Sequence, residues 1–497
     1  MSPQRLTSRR QVASMISLLI GLALGLAFVS PSSAVVGAPW SAGAGRWPTV
    51  VVSNTGAVAA WVAKSSAASP YNRVVVCVMK AGGSACAHKT TLSYTWGPPS
   101  PGPQILGNTR PAVSVFGPYV RVAVAGSVFG TGLGVAVWTS IDGGITFAGP
   151  HEAGIIQENL GGLVFNNCGF CSPRLYAWSQ NYAGGAMVSV LDPAGNATLG
   201  SVVVDATARY STPGGGLVVA PNGDLFLVAE TSTEVRVYRA LAFTDELNPA
   251  NWTRVLTASG EELGNLWTEG LFTNLISYPG QYLSLVTNRA SDGAPRVRRW
   301  TGSAFTSVLT VPSGSGYKHP VTAAVDGTGR TWVFNTSPDS TSLIVARPVK
   351  TSVGAFTRIV PYSSTGFNIG DQAASLTGNG YGLYAYVVNN GGGSFTQRFV
   401  ALKVPHSVSV KAPKSATVHR YTLTLTLPRS EVAGAKMTIK VTSAGKTTTL
   451  KSAITIPVTG VYKLSVRPTQ KGTVYRAYVG AGGWWTARTV SITLNPR

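Results

Sequence analysis

Acids are sparse in this chain of 497 residues: Lys and Arg number 40 against 18 Asp and Glu, for a net charge of +22. Glycoside cleavage by paired carboxylates needs two acids about 5 to 9.5 Å apart across a cleft. The acids standing where the repeated units described below open are Glu158, Glu269 and Asp371, and they are the weak catalytic candidates. Serine nucleophile chemistry needs a positioned histidine, and His88, His151, His319, His406 and His419 sit in no nucleophile motif. The four cysteines form two close pairs. Cys77 and Cys86 flank the turn Ala81-Gly82-Gly83-Ser84 and are expected to bridge a hairpin. Cys168-Gly169-Phe170-Cys171 has the spacing of a redox dithiol, but such motifs open a helix, whereas this one lies in a turn between strands. A second structural bridge is therefore preferred to a redox site. A metal centre is not expected, because no second Cys or His pair completes four ligands. Nothing calls for a cofactor, and the balance leans away from an enzyme.

The elements that would position these residues repeat along the chain. Charged residues make up 12 %, and there are 57 Gly and 30 Pro among many Val, Thr, Ser and Tyr, which favours short strands and tight turns over helices. One unit, an apolar strand, a Gly-containing turn and a second apolar strand, recurs at a period of roughly 40 to 50 residues, the signature of a propeller or solenoid. It is found at 48–62, 111–124, 160–178, 213–228, 272–286, 320–334 and 372–387. Most units are followed by an outer strand pair, such as Val235-Arg236-Val237-Tyr238-Arg239, and four strands per unit make a propeller blade. Inner strands are almost continuously apolar, as strands covered on both faces are, while outer ones alternate. The expected fold is all-β: a β-propeller over 35–403, seven blades favoured and six if one hit is an insertion. The last unit lacks a fourth strand, which the stretch before Pro48 is expected to supply, closing the ring. Loops that enter innermost strands usually form the ligand face, so the residues opening each unit are the rim candidates: Trp47, Arg110, Glu158, Tyr210, Glu269, His319 and Asp371. Aromatic planes among Arg and carboxylates suit stacking on sugar rings and hydrogen bonding to hydroxyls.

One motif is specific. Ser140-Ile141-Asp142-Gly143-Gly144-Ile145-Thr146-Phe147 fits Ser-x-Asp-x-Gly-x-Thr followed by an aromatic. Asp142 and Ser140 can satisfy turn backbone groups, Gly144 accepts positive φ, and Thr146 and Phe147 begin the next strand. On these residues, 47–402 resembles the Asp-box (BNR repeat) proteins that include bacterial sialidases. The resemblance implies a structural turn far from an active site, so Asp142 is not read as catalytic. In the sialidases three arginines grip a carboxylate beside a Tyr–Glu pair and an Asp, with an Arg-Ile-Pro type motif near the start. No such motif stands there in this chain, and Thr357-Arg358-Ile359-Val360-Pro361 is a late echo on an outer strand. The likeness carries fold and not activity.

Two further segments bound the reading. Arg5, Arg9 and Arg10, an apolar run from Met15 to Val29 and Ser30-Pro31-Ser32-Ser33-Ala34 read as a signal peptide over 1–34, cleaved after Ala34. Arg9-Arg10 echoes a twin-arginine signal, but Gln11-Val12-Ala13 matches it poorly, so the ordinary secretory route is preferred. The protein is thus expected outside the cell or on its surface, with no span left after cleavage. From residue 404 onward fourteen Lys and Arg stand against Glu431 alone. Alternating runs give about seven short strands in under a hundred residues, as an immunoglobulin-like β-sandwich over 404–497 requires. Trp484 and Trp485 follow Gly482-Gly483 as an exposed stacking pair or, for one of them, a core residue. A secreted binding protein for a glycan or anionic cell-envelope polymer is expected, as a monomer and with nucleic acid disfavoured. The alternatives are an exo-acting glycoside hydrolase of sialidase-like fold and a protein-binding scaffold.

Overall fold

The computed structural model describes residues 35–53, 55–64, 71–93, 110–128, 132–155, 160–165, 174–180, 185–192, 198–208, 216–220, 222–262, 275–278, 282–312, 322–326, 329–337, 340–355, 357–361, 372–377, 381–390, 394–405, 408–413, 420–427, 436–457, 459–481 and 485–496. Residues 1–34, to which the export reading applies, lie outside these.

Up to residue 405 the described chain forms seven antiparallel sheets in sequence order. The first comprises Arg46–Val52, Gly56–Lys64, Tyr71–Lys80 and His88–Ser93. The second comprises Ala112–Phe116, Tyr119–Val128, Gly132–Ser140 and Ala148–Ile155. The third holds Leu160–Phe165, Leu175–Gln180, Ala186–Leu191 and Thr198–Asp205, and the fourth Gly216–Val219, Leu225–Glu230, Glu234–Ala240 and Trp252–Ser259. In the fifth are Leu275–Tyr278, Tyr282–Arg289, Pro295–Arg299 and Leu309–Thr310, with Glu261–Glu262 beside the end of the second strand. The sixth holds Thr322–Val325, Thr331–Ser337, Ser340–Val349 and Thr357–Pro361. Gln372–Thr377, Tyr381–Asn389 and Phe395–Pro405 make the seventh, and its outer edge is completed by Val35–Val36 and Trp40–Ala44 pairing with Phe395–Pro405. The stretch before Pro48 thus provides the strand that the last unit lacks.

The second strand of each sheet is buried along most of its described length because it is covered on both faces. Gly56–Lys64 is buried at seven successive positions, Ala57 to Ala63. Its even residues (Val58, Ala60, Val62) meet Val113, Val122, Val124 and Trp138 of the second sheet, and its odd ones (Ala57, Ala59, Trp61) meet Phe399, Leu383 and Tyr386 of the seventh. Similar apolar layers lie between every consecutive pair of sheets. Each innermost strand neighbours the innermost strand of the next sheet, and that of the seventh neighbours that of the first, so the packing order returns to its start. Burying one such Val or Phe removes enough apolar surface from water for about 1.5–3 kcal/mol.

Beyond residue 405 lie two more sheets, one of Ser409–Lys411, Tyr421–Thr426 and Val461–Val466, the other of Lys446–Thr455, Lys436–Ser443, Thr473–Val479 and Arg488–Leu494 in that spatial order. They share a core in which Leu425 meets Met437, Ile439 and Ala477, and Leu423 meets Tyr475 and Leu494. The expected final run 486–494 is divided. Trp485–Thr486 leaves these sheets and pairs in parallel with Val404–Pro405, while Arg488–Leu494 pairs with Thr473–Val479.

Candidate functional site

Antiparallel alternation places the start of every innermost strand, the end of the second strand, the start of the third and the end of the outermost at one end of each sheet. That end carries Trp47 and Arg110 of the rim candidates. Glu158, Tyr210, Glu269, His319 and Asp371 lie outside the described residues, as do Cys168, Cys171 and Trp484.

Trp47 departs from its expected role. It is 4 % exposed, turned into the layer between the first and second sheets. The cause is a bulge: Arg46 pairs with Val62 and Thr49 with Ala60, leaving Trp47 and Pro48 opposite one residue, and Trp47 takes φ +52°. Next to it, Gly45 has φ +144°, and a Cβ there would stand 2.2 Å from the Trp61 ring, so only glycine fits. Arg46 lies 4.3 Å from the Phe395 ring centre and 4.8 Å from that of Trp47, closing the junction between the first and seventh sheets with a cation over two aromatic faces. Arg110 is half-buried at the entry to the second sheet. Trp485 is also corrected: at 1 % exposure it packs on Tyr381 of the seventh sheet, ring centres 4.9 Å apart, and offers no face to a ligand. Its strand is drawn out of the basic region to cap the seventh sheet.

The same end holds two acid–base clusters that the sequence reading missed. Asp205, closing the outermost strand of the third sheet, accepts Tyr238 Oη at 2.6 Å and Arg236 Nη1 at 3.2 Å from the fourth sheet, and Thr207 N and Oγ1 at 2.8 Å. Arg236 also donates to Glu234 at 2.6 Å. One sheet further on, Glu261 follows the outermost strand of the fourth sheet and accepts Arg298 at 2.5 and 2.7 Å, Arg296 at 2.7 Å and Thr287 Oγ1 at 2.6 Å, all from the fifth. Its side chain is fully buried. The two clusters are one device repeated: an acid at or just past the end of an outermost strand and basic or phenolic donors two residues apart on the third strand of the next sheet. An Arg-x-Tyr or Arg-x-Arg strand downstream of an acid was the available signal.

Their electrostatics fit them for fastening. Burial alone raises the Glu261 carboxyl, but hydrogen bonds from Arg298, Thr287 and Arg296 outweigh it and hold the group below the usual range. Asp205 behaves alike, lowered on balance by Tyr238, Thr207 and Arg236 against its burial. Both are therefore ionised acceptors and poorly suited to deliver a proton near neutrality. Tyr238 is pushed up to about 12, by burial and then by its bond to Asp205, so its phenol donates and is not primed as a nucleophile. On the exposed edge, Arg289 pairs with Asp292, whose carboxyl that bond lowers to about 2.

At the opposite end the Ser140–Phe147 turn forms a closed network. Ser140 Oγ donates to Asp142 Oδ1 at 2.7 Å and accepts Gly144 N at 2.8 Å, while Asp142 accepts Ile145 N at 3.1 Å and Thr146 Oγ1 at 2.6 Å. Both carboxylate oxygens of Asp142 serve the turn, and its carboxyl is held far below the ordinary range, foremost by Thr146. Gly144 has φ +90°, and a Cβ there would meet Val78 at 2.8 Å. Gly143 N donates to Pro118 O at 2.8 Å and Thr90 Oγ1 to Ile145 O at 3.2 Å, tying the turn to its neighbours. Cys77 and Cys86 are disulfide-bonded. Among the described residues no group of His, Cys, Asp and Glu could hold a metal ion, and no helix is long and apolar enough to cross a membrane.

No protein-family model matches the chain, and no curated protein matches it. Solved structures similar to it include a fungal alcohol oxidase of the AA5 family in complex with copper, 12 % identical over 93 % of this chain and 100 % of that one, TM-score 0.46. A polysaccharide lyase is 9 % identical over 71 % and 89 % of the two chains, TM-score 0.43. A mutant Aleuria aurantia lectin in complex with alpha-methyl-L-fucoside is 12 % identical over 65 % and 97 %, TM-score 0.35. All three superpositions stay below a TM-score of 0.5.

Proposed function

We propose that the chain is a secreted glycan- or envelope-polymer-binding protein: a seven-bladed β-propeller of the Asp-box kind, held against an anionic surface by a basic immunoglobulin-like sandwich. The observation that carries this is the charge of the last region. Its fourteen cations against one acid include Lys411, Arg420, Lys436, Lys440, Lys451, Lys463, Lys471 and Arg476, all exposed. Such an excess raises the local concentration of polyanions and is paid for in self-repulsion. A packing order that returns to its start supports the propeller, and the Ser140–Thr146 network supports the Asp-box. The disulfide and the 1–34 segment support export. Recognition is favoured over turnover because Asp205, Glu234, Glu261 and Asp292, carboxylates of the rim end, are committed to ion pairs.

The test is retention of the full chain on isolated cell envelopes. It should fall steeply from about 0.1 M to about 1 M salt, as the screening length contracts from about 10 to 3 Å. Retention indifferent to salt, or none at low salt, rejects the reading, and release of sugar from a glycan panel rejects binding without turnover.

A further inference from the structure

The outward face of the four-stranded sheet in the basic region has the makings of a ligand platform. Period-two alternation buries Met437 and Ile439 on the inner side of Lys436–Ser443, leaving Thr438, Lys440 and Thr442 outward. On Thr473–Val479 it leaves Arg476 and Tyr478 outward. Lys440 and Arg476 are register partners and both are exposed. Like charges directly opposite across a strand pair oppose folding. The region's sole acid is Glu431, five residues before the start of Lys436–Ser443, so the sequence provides no interleaved acids to relieve this pair. Arg476 is held flat along the sheet by donating to Thr442 Oγ1 at 2.8 Å, and Tyr478, register partner of Thr438, is 47 % exposed. Together these residues form a stripe roughly 13 Å long and two strands wide in which cations, hydroxyls and one aromatic ring share a plane.

We propose that this stripe binds a linear anionic polysaccharide. Its acidic groups bridge Lys440 and Arg476, its hydroxyls meet Thr438 and Thr442, and one sugar ring rests on Tyr478. Arg recognises planar anions through paired N–H donors, and Lys adds a point charge. A single-stranded nucleic acid platform stacks successive bases on several aromatics, whereas one ring stands outward here. Membrane-surface binding needs an apolar face, and this one is hydroxylated. The proposal rests on the reading of the basic region as the surface anchor, and it names the anchor's site and ligand class.

The experiment measures affinity of the full chain for polygalacturonate and for dextran sulfate, which separates carboxylate from sulfate as the acidic group. K440Q/R476Q should weaken binding about tenfold or more. K446Q/K451Q, an equal charge loss on the neighbouring strand, should cost no more than about threefold. Tyr478→Ala should weaken binding several-fold while leaving the salt slope unchanged. Equal losses in the two double variants, an unaffected Tyr478→Ala protein, no binding to either polysaccharide, or tighter binding to oligothymidylate or to phosphatidylcholine–phosphatidylglycerol vesicles would each overturn the proposal. Thermal unfolding of each variant reports that it is folded, and all four substituted charges are exposed. Envelope retention that stays salt-sensitive but ignores K440Q/R476Q removes the site and leaves the anchor; retention indifferent to salt removes both.

Discussion

The seven-sheet region and the basic region are both built of antiparallel strands with alternating or fully apolar cores, yet they treat charge in opposite ways. In the first, a set of arginines is answered by carboxylates: Arg236 by Asp205 and Glu234, Arg239 by Asp224, Arg296 and Arg298 by Glu261, Arg330 by Asp326. In the second, Lys440 stands in register with Arg476, and the sequence of the region holds fourteen cations and one acid. The difference separates charge used to fasten a fold from charge directed at something outside it. A buried ion pair offsets its own desolvation only when both partners are present and well bonded. An exposed cation has no such requirement and contributes little to stability either way.

The largest effect expected from breaking this contrast lies at the join. Trp485→Ala removes a fully buried ring from the seventh sheet and should cost about 3–5 kcal/mol. It should also separate unfolding into two calorimetric transitions; a single unshifted transition would show that the regions do not depend on the contact. Glu261→Ala leaves Arg296 and Arg298 side by side without their shared buried carboxylate, and about 3–5 kcal/mol should be lost in denaturant unfolding, toward the lower end because both arginines retain some exposure.

A smaller effect is expected from acid. Glu261 and Asp205 have folded-state values below their unfolded ones, so their stabilisation is complete above an unfolded value near 4 and is lost as pH falls through the folded value. Tm should stay level from about pH 7 to 5 and drop below about pH 4, and Glu261→Gln should be less stable at neutrality but flatter in this range. A Glu261→Gln profile parallel to the parent would dissociate the cluster from acid stability. Least of all, Lys440→Gln should raise Tm slightly, by under about 1 kcal/mol of stability, as a like-charge neighbour is removed. A fall in Tm would mean that Lys440 fastens the sheet after all.

Much of the strand layout was legible because it follows from side-chain periodicity. Each of the seven ranges read as an apolar strand pair contains an antiparallel pair, and the run Ala57 to Ala63 is a strand buried at every position. The Cys77–Cys86 bridge was legible from a turn between two cysteines, which confines the pairing locally. The rim was far less so. Trp47 and Trp485 look like sugar platforms by residue type, and whether an indole faces solvent or core depends on a bulge in one case and a strand exchange in the other. The Asp205 and Glu261 clusters join residues about 30 to 40 positions apart, and no local pattern couples them.

What the amino-acid order determined alone is therefore local: which segments are strands, where the chain turns, how Ser140 to Phe147 satisfies its own backbone, and where cations outnumber acids. Those depend on periodicity, φ preferences and composition, which need no distant partner. Tertiary structure decided that Trp485–Thr486 joins the seventh sheet, which tryptophans are buried, and which arginines meet a carboxylate. These are contests between burial and solvation, and they are settled only when remote segments occupy the same space.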